Sequence, residues 1–471
     1  MKFSKSIILS SQRVVVVHHN TRAPLRASRC RDARDACSRT MSKPLGGSSH
    51  ANARDALDTY KRARLAFVTS LNEMLRKDDP SLDAALLDND CLALLHRPLV
   101  QDTVPGVRVS ALAAMRALAT RVDRAGDVLA TPETLSKIVS SLSHDDQNVV
   151  VAGCGLASAL ASKRESHVRS LFDAGALGPL RKALDSLNPE IMDAASRCAV
   201  AVVAASPWAA ERFLAEETAC SENEVLPGAA LHSGTQNGSE NRSKSSILEC
   251  LCAATSSPTT SLCTRSVIVR IFNAICKHGE ALAKRVVRDC DACGVAARLA
   301  RDAATRVDAR EATGPTLARA RAAAFACLST MAAHSADLAA VVMASGVTGD
   351  AVAACVYASD AYPEESFQVR EAATFLLLSL VNKTPELAQA VCDAGAVESL
   401  VQNLSMEAGS KRSVPALTAL GYIADYKPSL ALRVVTADGG QRIVQVRAAF
   451  PKFAHFIADS IPHTNYLYTQ D

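Results

Sequence analysis

His334-Ser335-Ala336-Asp337-Leu338-Ala339, followed by Val342 and Gly346, returns as Lys383-Thr384-Pro385-Glu386-Leu387-Ala388, followed by Val391 and Gly395. The same phrase recurs around Leu282-Ala283 with Val286 and around Leu430-Ala431 with Val434. The four leucines stand 56, 49 and 43 residues apart, and the last spacing lies within the roughly 40–47-residue period of stacked helical repeats. A chain that repeats at this period builds a solenoid, in which each unit buries its apolar side against its neighbours.

Composition points the same way. Of 471 residues 48% are apolar but only 4% aromatic, so the core must be assembled from Ala, Leu and Val. Small side chains allow close helix approach at many equivalent contacts, which suits a stack of short helices better than one large globular core. A chain of this length would otherwise suggest two to four domains. In a repeat array, length grows without a central core.

Each unit reads as three helices. A short helix carrying the Leu-Ala-x-x-Val phrase ends at Gly, a second short helix follows, and a longer Ala-rich helix completes the repeat. In Asp173-Ala174-Gly175-Ala176 and Asp393-Ala394-Gly395-Ala396, Gly can take positive φ and stop one helix as the next begins. Gly346 and Gly439 fall at the matching place. Leu177–Leu184 and Val397–Leu404 then carry apolar residues at helical spacing, and Asn188-Pro189-Glu190 supplies a cap and a first-turn proline for a third helix. Seven third-helix segments are predicted near 104–119, 147–161, 190–204, 262–276, 317–332, 367–381 and 412–424. At the start of the array, Leu57, Tyr60, Arg64, Phe67, Val68, Leu71 and Leu75 predict one amphipathic face from Asn52 onward. No strand pattern competes with the helical one.

The expected domain organisation is a basic leader without regular structure over 1–50, an N-terminal helix and repeats over 51–216, and a disordered polar insertion over 217–246. Repeats resume over 247–445, and a short tail follows over 446–471. The insertion contains Ser233-Gly234-Thr235-Gln236-Asn237-Gly238-Ser239. A smaller one near 301–315 accounts for the 56-residue spacing. Residues 1–40 hold nine Lys or Arg against Asp32 and Asp35, leaving 43 basic and 46 acidic side chains in the rest. The leader has the Arg-rich, acid-poor composition of an organellar transit peptide, while Met41-Ser42-Lys43-Pro44 reads as the working start. Ile7-Ile8-Leu9 and Val14–Val17 are too short for a secretory core or a membrane span. The near-neutral repeat body calls for neither nucleic acid nor a membrane as partner.

The fifteen cysteines sit within apolar runs and lack a disulfide framework, so they read as reduced core residues. Cys290-Asp291-Ala292-Cys293 has redox or metal spacing but no second pair, and a structural role is expected. Gly153-Cys154-Gly155 lies in a helical segment without the preceding strand or third glycine of a dinucleotide loop, and close helix packing is its expected role. His278 and His334 begin equivalent phrases, so repeat position and capping account for them. No phosphate loop, nucleophile elbow or paired acids point to an enzyme. No catalytic, cofactor or metal residue is assigned, and no cofactor is expected.

The three-helix unit resembles the armadillo repeat, and the fold class expected is all-α, an armadillo-type right-handed α-solenoid of about seven to eight three-helix repeats. Asp102-Thr103-Val104-Pro105 leading into Ala111–Ala119, the repeated Leu-Ala-x-x-Val with Asp-Ala-Gly-Ala, Leu420-Gly421-Tyr422-Ile423-Ala424 and the opening Tyr60–Val68 resemble the sperm-associated antigen 6 family. The resemblance runs in order from about residue 55 to 440. It implies a non-enzymatic structural protein of the ciliary or flagellar axoneme, in the cytoplasm and cytoskeleton. Its partners would be central-pair proteins and microtubules, its role would lie in motility, and self-association is a further possibility. The chain departs from that family in its leader, its 217–246 insertion and an earlier C-terminus, as a divergent or shortened copy would.

The alternative is a cytosolic armadillo adaptor that holds partner peptides on the concave third-helix surface. Importin-α-like carriers place Trp on the third helix and Asn one turn later. Here the Trp row reads Ala113, Gly155, Cys198, Arg270, Ala326, Phe375 and Thr418, and the Asn row reads Ala117, Ala159, Val202, Ala274, Thr330, Ser379 and Tyr422. That argues against nuclear-signal binding of the importin type. Binding residues are not assigned; Arg181, Lys182, Lys411 and Arg412 are surface charges of the kind a scaffold would use. Leu387 is expected to be buried.

Overall fold

A computed structural model of the chain describes residues 6–10, 13–17, 49–75, 79, 81, 84, 95, 102–215, 247–257, 260–305, 314–406 and 413–443. The expected insertion over 217–246 and tail over 446–471 lie outside the described residues. The chain divides into two compact units, Met1–Ala183 and Leu184–Asp471. Both are built from stacked three-helix repeats of armadillo type.

In the first unit an antiparallel pair, β1 (Ser6–Ser10) and β2 (Arg13–Val17), is aligned with Ile8 opposite Val15. The leader was expected to lack regular structure; its two β-branched runs pair instead, as Ile and Val favour the extended backbone. Helix α1 (Ser49–Leu75) packs on α2 (Pro105–Arg121). The remaining helices of the unit are α3 (Asp123–Leu129), α4 (Pro132–Leu142), α5 (Gln147–Ala161), α6 (Glu165–Asp173) and α7 (Leu177–Leu184). The amphipathic face predicted for α1 is buried only in its last part. Val68, Leu71 and Leu75 enter the core while Leu57 and Tyr60 stay exposed. Arg64 lies 4.4 Å from the Tyr60 ring centre and pairs with buried Asp102.

The second unit runs α8 (Pro189–Ala204), α9 (Pro207–Ala215), α10 (Ile247–Ser256), α11 (Leu262–Cys276), α12 (Glu280–Cys290), α13 (Ala292–Thr305) and α14 (Gly314–His334). It continues with α15 (Ala336–Ala344), α16 (Thr348–Ala354), α17 (Pro363–Val381), α18 (Pro385–Asp393), α19 (Ala396–Met406), α20 (Val414–Tyr426) and α21 (Pro428–Thr436). The third helices α8, α11, α14, α17 and α20 stack in succession. With α2 and α5 in the first unit, all seven predicted third helices are present. None of the described helices is by itself long and apolar enough to cross a membrane.

Local chemistry explains the boundaries. The Asn188 side chain accepts from the Glu190 amide at 3.0 Å, with Pro189 opening α8. Thr384 Oγ1 accepts from the Leu387 amide at 3.2 Å, and Asp146 caps α5 through Asn148 and Val149. Gly175, Gly346 and Gly395 take φ of +82°, +74° and +84°, as the turns between first and second helices require. Gly439 does not. There Asp438 adopts the left-handed conformation at φ 64°, and Asp291 does so after α12 at φ 46°. Asp tolerates this region better than most residues because its short side chain bonds locally. Asp291 Oδ1 accepts from the Gly294 amide at 3.2 Å.

Successive third helices are joined by side chains that follow one helix and reach back to the end of the one before. His278 Nε2 donates to the Val203 carbonyl at 2.6 Å, His334 Nε2 to the Cys276 carbonyl at 2.7 Å, and Lys383 Nζ to the Ala333 carbonyl at 2.5 Å. In the first unit Lys163 donates to Asp123, just after α2, at 2.8 Å. The last carbonyls of a helix have no partner within it and carry the negative end of its dipole, so a donor there is doubly favoured. The first helices do likewise: Arg285 donates to the Leu214 carbonyl, and Arg433 to the Cys392 carbonyl and the Asp393 carboxylate. The repeat-phrase position of His278 and His334 is thus a clasp between repeats.

Leu387 departs from expectation. It is only half-buried, whereas Leu430 at the same phase is 0% exposed, and Ala388 and Val391 carry the burial in that repeat. Leu430→Ala should cost about 2–5 kcal/mol, and Leu387→Ala at or below the low end of that range, because part of its side chain already faces water. Denaturant unfolding of the two variants side by side measures the difference. His334→Ala should cost about 1–3 kcal/mol by leaving the Cys276 carbonyl without its donor. Hydrogen exchange should show protection lost first around the ends of α11 and α14.

Candidate protein-binding face

In the second unit each third helix keeps some positions open to solvent. On α14 the stripe is lined by Ala322, Ala323 and Ala326, half-exposed small residues that leave the floor low. On α17 it holds Glu364, Gln368, Glu371 and Phe375, with Asn382 just past its end, and on α20 it holds Tyr422 and Asp425. Phe375 is 42% exposed and Tyr422 36%. On α11 Arg270 is exposed, and exposed Lys277 follows its last residue.

The Trp and Asn rows read from sequence coincide with this stripe in most repeats of the unit but not all. Cys198 and Val202 are buried, and Arg197 and Ala201 take the outward positions of α8, so the row there is shifted by one residue. Ser379 is buried and shares a 3.0 Å hydrogen bond with Ser329. Trp208 lies on α9, a first helix, away from both rows. Phe375 and Tyr422 stand in these rows, and although neither matches the Trp or Asn identity both are large, aromatic and outward.

Several charged groups near the face are committed to the scaffold. Arg319 bridges to Glu365 at 2.7 Å, and its presence holds that carboxyl below the usual range. The Arg321 guanidinium lies 5.5 Å from the Tyr357 ring centre and 5.7 Å from that of Phe325, and burial lowers its pKa. Arg370 turns inward, donating to the Tyr357 carbonyl at 2.8 Å, with Phe367 5.9 Å away. Of the charges singled out from sequence, Arg181 and Lys182 lie on the second helix α7 in the first unit, and Lys411 and Arg412 lie outside the described residues.

The other motifs lie in helix packing. A Cβ on Gly153 would stand 3.2 Å from Ser141 Cβ and 3.3 Å from Leu142 Cδ2, so Gly153 lets α5 close on α4. At Gly155 the space is taken by Arg116, whose Nη1 would meet an added Cβ at 3.0 Å. Cys290 and Cys293 are buried at the α12–α13 junction: Cys290 Sγ donates to the Val286 carbonyl at 2.8 Å and Cys293 Sγ lies 3.6 Å from Met331 Sδ. The neighbouring Cys252 thiol and burial push the Cys290 thiol upward, and burial pushes Cys293 to about 12. The described residues contain no group of metal-ligating side chains suited to hold an ion.

No protein-family profile matches the chain. No curated protein matches it either. Solved structures similar to it include a designed armadillo repeat protein at 18% identity and TM-score 0.46, aligned over 61% of this chain and 99% of that one. Another designed armadillo repeat protein, solved in complex with the peptide (KR)4, aligns at 16% identity and TM-score 0.46 over 61% and 98%. An engineered protein aligns over 91% and 99% at 17% identity and TM-score 0.48. The repeat assignment itself rests on the order and packing of the helices described above.

Burial also predicts thiol chemistry. Cys154, Cys276, Cys293 and Cys355 are each pushed up to about 12 by burial, so they stay protonated and unreactive at neutral pH. Cys263 is exposed. Mass spectrometry after brief alkylation of the folded protein at pH 7.5 (about one unit below a free thiol) should find Cys263 labelled well ahead of these four.

Proposed function

We propose that the protein is a non-catalytic scaffold that holds a segment of a partner protein on the third-helix face of its second unit. The observation that carries this reading is the pair Phe375 and Tyr422, exposed aromatics on neighbouring third helices of an aromatic-poor chain. Phe213, Phe272 and Phe325 are fully buried, so the fold can take aromatic rings inward. Rings left outward in a low-floored stripe are the kind of group that anchors a partner.

The finer reading places this scaffold in the axoneme, on the central-pair microtubules, with a role in motility. Its support is the sequence resemblance, in particular Leu420-Gly421-Tyr422-Ile423-Ala424, which falls on the third helix that presents Tyr422. The cytosolic adaptor uses the same face for soluble partners.

Both readings are tested by tagging the chain in a flagellated cell and comparing it with a Phe375→Ala/Tyr422→Ala variant of unchanged melting temperature. Retention of the native chain on detergent- and salt-extracted axonemes, lost in the double variant, is the outcome expected for the axonemal scaffold. A diffuse native protein whose co-purifying partners are lost in the variant supports the adaptor. Partners indifferent to both substitutions would remove the face from consideration.

A further inference from the structure

Cys252, near the middle of α10, and Cys290, the last residue of α12, are brought together by the packing of those two helices. The Cys252 thiol donates to the Cys290 carbonyl at 2.9 Å, a group that stands at the end of its helix and has no partner within it. The two thiol side chains are also within hydrogen-bond reach of each other. The spacing of Cys290-Asp291-Ala292-Cys293 suggests a pair along the chain, but Cys293 Sγ turns to Met331 Sδ. Cys290 meets its sulfur neighbour 38 residues earlier, in the preceding repeat.

Access separates this pair from the other thiols of the same core. Cys276, Cys293 and Cys327 are 0%, 2% and 0% exposed and Cys290 is 8% exposed, whereas Cys252 is only half-buried. A solute therefore reaches Cys252 first. The Cys252 thiol and burial hold the proton on Cys290, so the nucleophilic thiolate of the pair forms on the outer sulfur. The outer residue is placed to react and the inner one to resolve the product.

We propose that Cys252 and Cys290 are a redox-active pair that closes into a disulfide between neighbouring repeats when the protein meets a peroxide. The Cys252 thiolate attacks one peroxide oxygen and the O–O bond breaks. Hydroxide leaves, takes up a proton as water, and the sulfur becomes a sulfenic acid. The Cys290 sulfur then attacks the Cys252 sulfur and the S–O bond breaks. Hydroxide leaves with the Cys290 proton as a second water, and an S–S bond of about 2.05 Å remains. Each thiol has lost one electron and the peroxide has gained both. The hydrogen bond from Cys252 to the Cys290 carbonyl gives way to a covalent tie from α10 to α12 that encloses the whole of α11.

Hydrogen peroxide added to the reduced full-length protein, followed by alkylation and mass spectrometry of the unreduced peptides, tests this. A Cys252–Cys290 link should be the main product, and dithiothreitol should reverse it. Amide exchange in α10 and at the end of α12 should be slower in the oxidised chain than in the reduced one. Cys252→Ser and Cys290→Ser should each abolish the link, and Cys263→Ala should retain it. The native chain decides the matter by itself where a variant fails to fold. Cys252 left unmodified, a sulfenic or sulfinic acid on Cys252 without a link, a link from Cys290 to Cys293, or a Cys252–Cys290 link that forms only in denaturant would overturn the proposal.

Discussion

The third helices α8, α11 and α14 end on carbonyl groups that the helix itself cannot satisfy, and the residue following the next third helix supplies the donor. His278, His334 and Lys383 perform this in the second unit, Lys163 serves the same junction in the first through Asp123, and Arg285 and Arg433 repeat the arrangement one layer over. Without these bonds the apolar contacts between repeats would be non-directional, because Ala, Leu and Val surfaces can slide past one another with little change in buried area. A donor fixed on one carbonyl sets the step from helix to helix.

The face follows from how the core is filled. Alanines such as Ala324, Ala332, Ala373 and Ala419 let the helices come close, and Phe272 and Phe325 occupy the space that remains between layers. Phe375 and Tyr422 point out although the same core accepts rings at Phe272 and Phe325. Small residues on α14 beside large ones on α17 and α20 make the surface uneven, so a ligand finds a recess next to an anchor. That is a better receptor for an extended chain than a flat charged face, on which screening by salt would dissolve most of the attraction.

Much of this was legible in the residues. The Leu-Ala-x-x-Val phrase and the Asn188-Pro189 start fixed the order of helices because capping and helical periodicity are local. Gly175, Gly346 and Gly395 fell where positive φ is needed for the same reason. What failed was rotation and depth. Leu387 shares its phase with Leu430 yet remains half-buried, since burial depends on what the neighbouring repeat presents. Cys198 was one residue out of register, because a 3.6-residue period leaves a helix free to turn by a fraction of a step.

The clasp between repeats has an evolutionary consequence. Its acceptor is a main-chain carbonyl, which exists whatever residue occupies the position: Val203, Cys276 and Ala333 serve equally. Only the donor side is under chemical constraint, and imidazole and ammonium both meet it. A repeat joined in this way can be duplicated and its copies can drift, since a substitution at the acceptor leaves the link intact and one at the donor has more than one acceptable replacement. The pairing places half the usual demand on covariation between neighbours. An array can thus lose most of its resemblance to itself in letters while its helices keep the same step.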